Sequence, residues 1–399
     1  MATIELQISA AAALLLLSIS SVGNAQLIFD IMKYGATADG VSSIDQALLS
    51  AWKDACASAT PSKIVIPPGT YPLGEITLQG PCKAPLEVQL QGTLKAPADS
   101  AQFKQDGWVT FQYLDGFTLS GGGVFDGQGK LAWSQNDCNK NKNCRKIINL
   151  RFNFVTNALV QDITTRDSKN FHVNVLGCKN FTFNRFTVTA PGDSPNTDGI
   201  HIAKVDGVNV TDSNIGTGDD CISIGDGTKQ LHITGVNCGP GHGISVGSLG
   251  KTRGEEPVQG VWVKNCTITG TQNGVRIKTW PASFPGSVSD MHFEDVTMVN
   301  VGNPIFIDQL YCPWNQCKAD IPSLVKISNV SFRNIHGTSS TAVAVKLTCS
   351  SKVPCENVEV GDINLTYSGP EAPAAISECS NVTPTFSGTQ VPSVCAKEA

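Results

Sequence analysis

Asp198, Asp220 and His242 stand 22 residues apart in turn, and each opens the same apolar-x-apolar phrase. Ile200-His201-Ile202 follows the first, Ile222-Ser223-Ile224 the second and Ile244-Ser245-Val246 the third. A fixed period in this range marks a solenoid, in which every repeat is one coil laid on the last. Coils stack about 4.8 Å apart, which predicts a column of Asp198, Asp220 and His242 roughly 10 Å long. Carboxylates and an imidazole gathered on a rigid wall have the makings of an acid–base site.

A second phrase recurs beside the first. It reads Leu114-Asp-Gly-Phe-Thr-Leu119, Cys178-Lys-Asn-Phe-Thr-Phe183, Val205-Asp-Gly-Val-Asn-Val210, Thr228-Lys-Gln-Leu-His-Ile233, Val258-Gln-Gly-Val-Trp-Val263, Val288-Ser-Asp-Met-His-Phe293 and, loosely, Leu324-Val-Lys-Ile-Ser-Asn329. Apolar alternation over so few residues, punctuated by Gly, Asn and Asp, predicts short strands joined by turns. An up-and-down barrel also has many short strands, but no reason to repeat a constant phrase. The expected fold is all-β: a single-domain right-handed parallel β-helix.

The ends read differently. Residues 1–25 predict a signal peptide, with an uncharged apolar run from Ala10 to Leu17 and a Gly23-Asn24-Ala25 cleavage site before Gln26. That run is too short to span a membrane, so a secreted chain is expected, with residues 26–399 as one domain. Ser43 to Ala57 places Ile44, Ala47, Leu48 and Trp52 at helical spacing. This predicts a short N-terminal helix capping the open edge of the first coil. Segment 130–146 reads as an inserted loop, and the chain after Pro370 as an irregular, disulfide-pinned tail.

The formal charge of −5 argues against nucleic acid or an anionic membrane as partner. A polyanionic substrate would need positive charge concentrated locally. All 14 cysteines follow the leader, as disulfides in an oxidising compartment require. Cys221 and Cys238, about one coil apart, are expected to join neighbouring coils. Cys349 with Cys355 and Cys379 with Cys395 are expected pairs, with Cys138/Cys144 and Cys312/Cys317 also close in sequence. Sequons at Asn180, Asn209, Asn265, Asn329, Asn364 and Asn381 predict N-glycans at some of these positions.

The register extends two coils beyond His242, through Asn273-Gly-Val-Arg276-Ile-Lys278 and Asn303-Pro-Ile-Phe306-Ile-Asp308. Alternation along a strand turns one column outward as His201, Ser223, Ser245, Arg276 and Phe306, and another as Ala203, Gly225, Gly247, Lys278 and Asp308. Small residues beside Arg276 and Lys278 predict a groove ending in two cations suited to an anion. Asp219 and Asp220 cannot both face that groove from a regular strand, so a bend is expected, with Gly218 lending backbone freedom. Crowded carboxylates raise the pKa of at least one. One can then serve as acid while another stays ionised.

Asn196-Thr-Asp-Gly, Gly218-Asp-Asp-Cys, Gly241-His-Gly and Arg276-Ile-Lys278, in this order, resemble the four signatures of polygalacturonases, glycoside hydrolase family 28. The resemblance covers nearly the whole mature chain, including Phe29-Asp-Ile-Met-Lys-Tyr-Gly-Ala36, Gly123-Val-Phe-Asp-Gly127 and Asp308-Gln-Leu-Tyr-Cys312. It is greatest to plant pollen-type enzymes, which are often exo-acting. It implies hydrolysis of α-1,4 bonds between galacturonates in pectin, with inversion and without metal or cofactor, by a monomer in the cell wall or apoplast. Asp219 is implied as the acid, Asp198 and Asp220 as activators of water, and His242 as the group keeping Asp219 protonated. Asn196, Arg276, Lys278 and Tyr311 are implied to hold substrate. The alternatives are endo action, a Ca²⁺-dependent pectate-lyase-like elimination using an arginine base, and a non-catalytic β-helix that binds wall polysaccharide.

Overall fold

The computed structural model describes residues 26–395 apart from 139, 142, 143 and 314. The segment read as a signal peptide lies outside the described residues. From Ile76–Gln79 to Ile376–Ser380, one strand from each successive coil joins a single 11-stranded parallel sheet in strict chain order. The other faces of the coils form a 20-stranded sheet. This is a right-handed parallel β-helix, the handedness that parallel crossovers favour.

The stack keeps the register of the repeated phrase. Ile200 pairs with Ile222, Ile222 with Ile244, Ile244 with Val275 and Val275 with Ile305. All five side chains are buried, each contributing about 1.5–3 kcal/mol of burial. Aromatic residues fill the N-terminal coils, where Phe111 stacks on Phe152 at 5.3 Å and Phe152 meets Phe181 at 5.0 Å.

The second phrase marks a corner. Asn180, Gly207, Gln230, Gly260, Asp290 and Asn329 form one column, all left-handed, with φ between 48° and 74°. Asn, Asp and Gly adopt this region most readily, which is why they punctuate the sequence. The column also corrects the last copy of the phrase: Ile327, not Leu324, pairs with Val288. The repeat is therefore Ile327-Ser-Asn-Val-Ser-Phe332.

Helix α1 spans Asp45–Ala57 and buries Ala47, Leu48, Ala51, Trp52 and Ala55. Trp52 Nε1 donates to Gln79 O (3.1 Å), and a Cys56–Cys82 bridge ties the helix end to the first coils. The inserted segment begins as a short helix, α2 (Lys130–Ser134), anchored where Trp133 Nε1 donates to Ser168 O at 2.9 Å. The end of the chain differs from expectation. Ile376–Ser380 pairs with Val343–Thr348, and Thr385–Val391 pairs with Glu356–Thr366, so the supposed tail is a further coil. Its exposed strands mix polar and apolar residues without clean alternation, which hid it.

The structure joins Cys221 to Cys238, Cys349 to Cys355 and Cys379 to Cys395, and also Cys138 to Cys144 and Cys312 to Cys317. Cys178 and Cys266 are free and buried. The sequon residues Asn180, Asn265 and Asn329 stand at left-handed corners. Asn209 and Asn364 lie within strands of the 20-stranded sheet, and Asn381 Nδ2 donates to Cys349 O (2.9 Å).

Candidate active site

The strands Ile200–Ala203, Ile222–Ile224, Ile244–Leu249 and Asn273–Thr279 lie side by side and bring Asp198, Asp219, Asp220, His242, Arg276 and Lys278 to one wall. The segment before each strand carries the acids or the histidine. A bend at Gly218 and Asp219 interrupts the coil ahead of Ile222. The role of Gly218 is not the one expected: its backbone is not left-handed, but a Cβ there would run into the Ser194 carbonyl oxygen. Thr197 secures the bend from the coil below, its Oγ1 accepting from Gly218 N at 3.1 Å and lying 3.0 Å from Thr217 Oγ1.

The three carboxyls have unlike surroundings. Asp220 is enclosed, with its side chain 2% exposed. Its Oδ1 accepts from Ser245 Oγ (2.8 Å) and Arg276 Nη2 (3.3 Å), and its Oδ2 accepts from Lys278 Nζ (2.7 Å). Burial pushes this carboxyl up, but the two cations outweigh it and hold the group below its ordinary value. Asp198 is also buried, and burial followed by repulsion from Asp219 and Asp220 raises it well above the usual carboxylate range. A hydrogen bond with Ser223 and the charge of Lys278 counteract that rise only in part. The site therefore biases one buried carboxyl towards the ionised form and a second towards the protonated form.

Asp219 is the accessible member, its side chain 23% exposed. Its Oδ1 accepts from Asp220 N (2.8 Å) and lies 3.0 Å from His242 Nδ1, while Oδ2 has no partner among the described residues. The His242 backbone N–H donates to Asp219 O at 2.7 Å, so ring and carboxyl are held by two contacts.

Arg276 and Lys278 are not the open anion receptors the sequence predicts. Their side chains are 8% and 7% exposed, and both already bind Asp220. Asp219 and Asp308 share the same neighbourhood, Asp308 lying in the field of both cations. Tyr311 covers the two cations, its ring centre 5.7 Å from the Arg276 guanidinium and 5.2 Å from Lys278 Nζ. Asn196 is exposed, its Nδ2 donating to the buried Asn170 Oδ1 at 2.7 Å.

Two serines read only as small groove residues position the acids. Ser245 Oγ donates to Asp220 Oδ1 and Ser223 acts to lower Asp198, each serine 25 residues beyond its carboxyl. That equal offset is the signal that could have found them. Behind Ser223, His201 Nδ1 lies 2.8 Å from Ser223 Oγ and its ring stacks on Phe171 at 5.0 Å. Burial lowers His201 to about 4, so the ring is neutral.

Ligand atoms of Asp219, Asp220 and His242 lie within 4.8 Å of one another. A cation placed there would have to compete with Lys278 and Arg276 for Asp220, so these donors fit a metal poorly.

A wall of parallel strands bearing two buried carboxyls in opposed environments and a third, accessible one defines a parallel β-helix with an acid–base site of the kind glycoside hydrolysis uses. The model for glycosyl hydrolases family 28 matches residues 56–393, and the chain belongs to that family. A polygalacturonase of Nicotiana tabacum is 58% identical over 97% of both chains. An exopolygalacturonase of Oenothera organensis is 60% identical over 89% of this chain and 98% of its own. Among solved structures, an endo-xylogalacturonan hydrolase from Aspergillus tubingensis aligns with a TM-score of 0.78 at 24% identity, covering 91% of this chain and 100% of the other.

Proposed function

We propose that this chain is a polygalacturonase that hydrolyses α-1,4-galacturonosidic bonds in pectin with inversion, releasing mono-galacturonate from chain ends. The observation that carries the hydrolytic reading is the split environment of the carboxyls: Asp220 held low by Lys278 and Arg276, Asp198 raised by burial, and Asp219 accessible with one oxygen free. Asp219 donates a proton to the glycosidic oxygen as the bond to C1 breaks. Water attacks C1 from the opposite face and gives its proton to the Asp198–Asp220 pair. A carboxylate has about four acceptor positions, and Asp220 uses three of them, leaving one for that water. His242 returns a proton to Asp219 between turnovers. Arg276 and Lys278 under Tyr311, with the exposed Asn196, attract a sugar carboxylate.

Elimination by an arginine base is disfavoured by the same geometry, since Arg276 is bound to both Ser245 and Asp220. The six disulfides and the leader read at residues 1–25 support secretion to the wall, where pectin lies. Exo action is favoured by the Oenothera relative's name.

Chromatography of early products from polygalacturonate tests the reading. Saturated mono-galacturonate with a slow fall in viscosity is expected. Unsaturated products would replace hydrolysis by elimination, and a rapid viscosity drop at low conversion would show endo action.

A further inference from the structure

The corner that follows each strand of the catalytic sheet changes along the stack. After Val173–Leu176 and Ile200–Ala203, the next strand starts at Lys179 and Asp206, a tight turn. After Ile244–Leu249, Asn273–Thr279 and Asn303–Asp308 it starts only at Val258, Gly286 and Val325. These three enlarged corners pack together as a rim. Trp280 N donates to Leu249 O (2.9 Å), Phe284 N to Gly250 O (2.8 Å) and Ala282 N to Ile321 O (2.8 Å).

The first of these loops is built to one shape. Glu255 folds it inward, with Oε2 accepting from Gly250 N (2.6 Å) and Oε1 from Thr252 N (2.8 Å). Gly250 is left-handed at φ 89°, and a Cβ there would meet Ser283 Cβ at 2.5 Å. So clamped, the loop lays Lys251 Nζ 4.5 Å from the Trp280 ring centre and the Arg253 guanidinium 5.4 Å from that of Phe284. Neither cation has a carboxylate partner among the described residues. A ring face holds a cation without neutralising it, so both charges remain available.

These cations continue the catalytic cluster. From Lys278 Nζ it is 5.2 Å to the Tyr311 ring centre, 5.3 Å on to Trp280 and 4.5 Å on to Lys251 Nζ. Two adjoining rings thus bridge one cation to the next along this path, in a chain of net charge −5. We propose that Lys251 and Arg253 form a second carboxylate-binding subsite, holding a galacturonate of the same chain further along than the sugar beneath Tyr311. The proposal rests on the polygalacturonase reading and deepens it: the rim selects an un-esterified polyanion over several sugars, because a methyl ester there offers no charge to bind.

The test is steady-state kinetics of the Lys251→Ala/Arg253→Ala protein on polygalacturonate and on oligogalacturonides of increasing length. KM on the polymer should rise about fivefold, the scale of two exposed charge contacts, and the penalty should grow with chain length. A Lys179→Ala/Lys229→Ala protein, which loses the same charge from the opposite sheet, should match wild type. If the alanine pair folds poorly by thermal melting, the Lys251→Gln/Arg253→Gln pair keeps the ring packing and carries the same expectation. An active wild type with an unchanged rim variant, or a penalty equal at every length, overturns the subsite alone. A wild type inert towards polygalacturonate overturns both readings.

Discussion

Lys278 Nζ sits 2.7 Å from Asp220 Oδ2, and neither side chain is more than 7% exposed. The two residues lie 58 positions apart, on coils brought together only by the stack. This pair sets the charge state of the site.

Lys278→Met should lower kcat by about 10²-fold or more and move the acidic limb of the pH profile upward. Asp220 is held below its ordinary value by the cations, and losing one lets it rise, so the base becomes protonated at higher pH. The variant should also lose about 3–5 kcal/mol at neutral pH, less as acid neutralises Asp220. A pH–kcat/KM profile that coincides with wild type would detach Lys278 from the base.

Asp198→Asn should abolish turnover yet leave the protein as stable or more stable. The native carboxyl is raised above its unfolded value. Its contribution to stability is therefore complete below the unfolded carboxylate value and lost as pH rises through the raised one. The amide copies the neutral form, so the melting-temperature difference should grow in the variant's favour with rising pH. A difference that shrinks with pH would mean Asp198 is ionised at rest.

Asp219→Asn should cost about 10²–10⁴-fold in kcat with an unaltered melting temperature, because a partly exposed amide still accepts from Asp220 N but donates no acid proton. Near-wild-type turnover in a folded variant would remove Asp219 as the acid.

Ser223→Ala should reduce kcat about tenfold while KM changes little, since the hydroxyl is buried and acts through Asp198. Its bond lowers Asp198, so the variant's Asp198 rises further and the pH profile shifts upward. Ser223→Thr, which keeps the hydroxyl, should recover most of the loss. A uniform loss with no pH shift in the alanine variant would make the role purely structural.

Removing the Cys221–Cys238 bridge by a double alanine substitution should cost about 3 kcal/mol in chemical denaturation, the scale of a loop this long. An unchanged midpoint would show that the stack alone holds the acid-bearing coil.

The sequence revealed the fold in proportion to how locally the fold is written. The 22-residue spacing of Asp198, Asp220 and His242 is readable because parallel stacking is a translation, and the pairing of Ile200, Ile222 and Ile244 is that translation in space. The left-handed corners were readable through Asn, Asp and Gly. Alternation puts Arg276 and Lys278 on the correct strand face but does not show them as buried ion partners. Their enclosure comes from Tyr311, supplied by the next coil, which no local pattern encodes. The proton on Asp198 was equally out of reach, because it follows from burial and from neighbours 21 and 22 residues away. The final coil escaped notice because its strands are exposed and lack clean alternation.

The enlarged corners of the rim add residues between strands while Val275 still pairs with Ile305 and Lys278 with Asp308. Length at that corner is thus uncoupled from the geometry of the acids. A lineage of such chains can lengthen, shorten or recharge the rim by insertion and deletion, changing which polymer fits and how far it threads, while inheriting the proton-transfer apparatus intact. Divergence in substrate then requires no rebuilding of the chemistry, and a grafted rim becomes a direct route to altering selectivity.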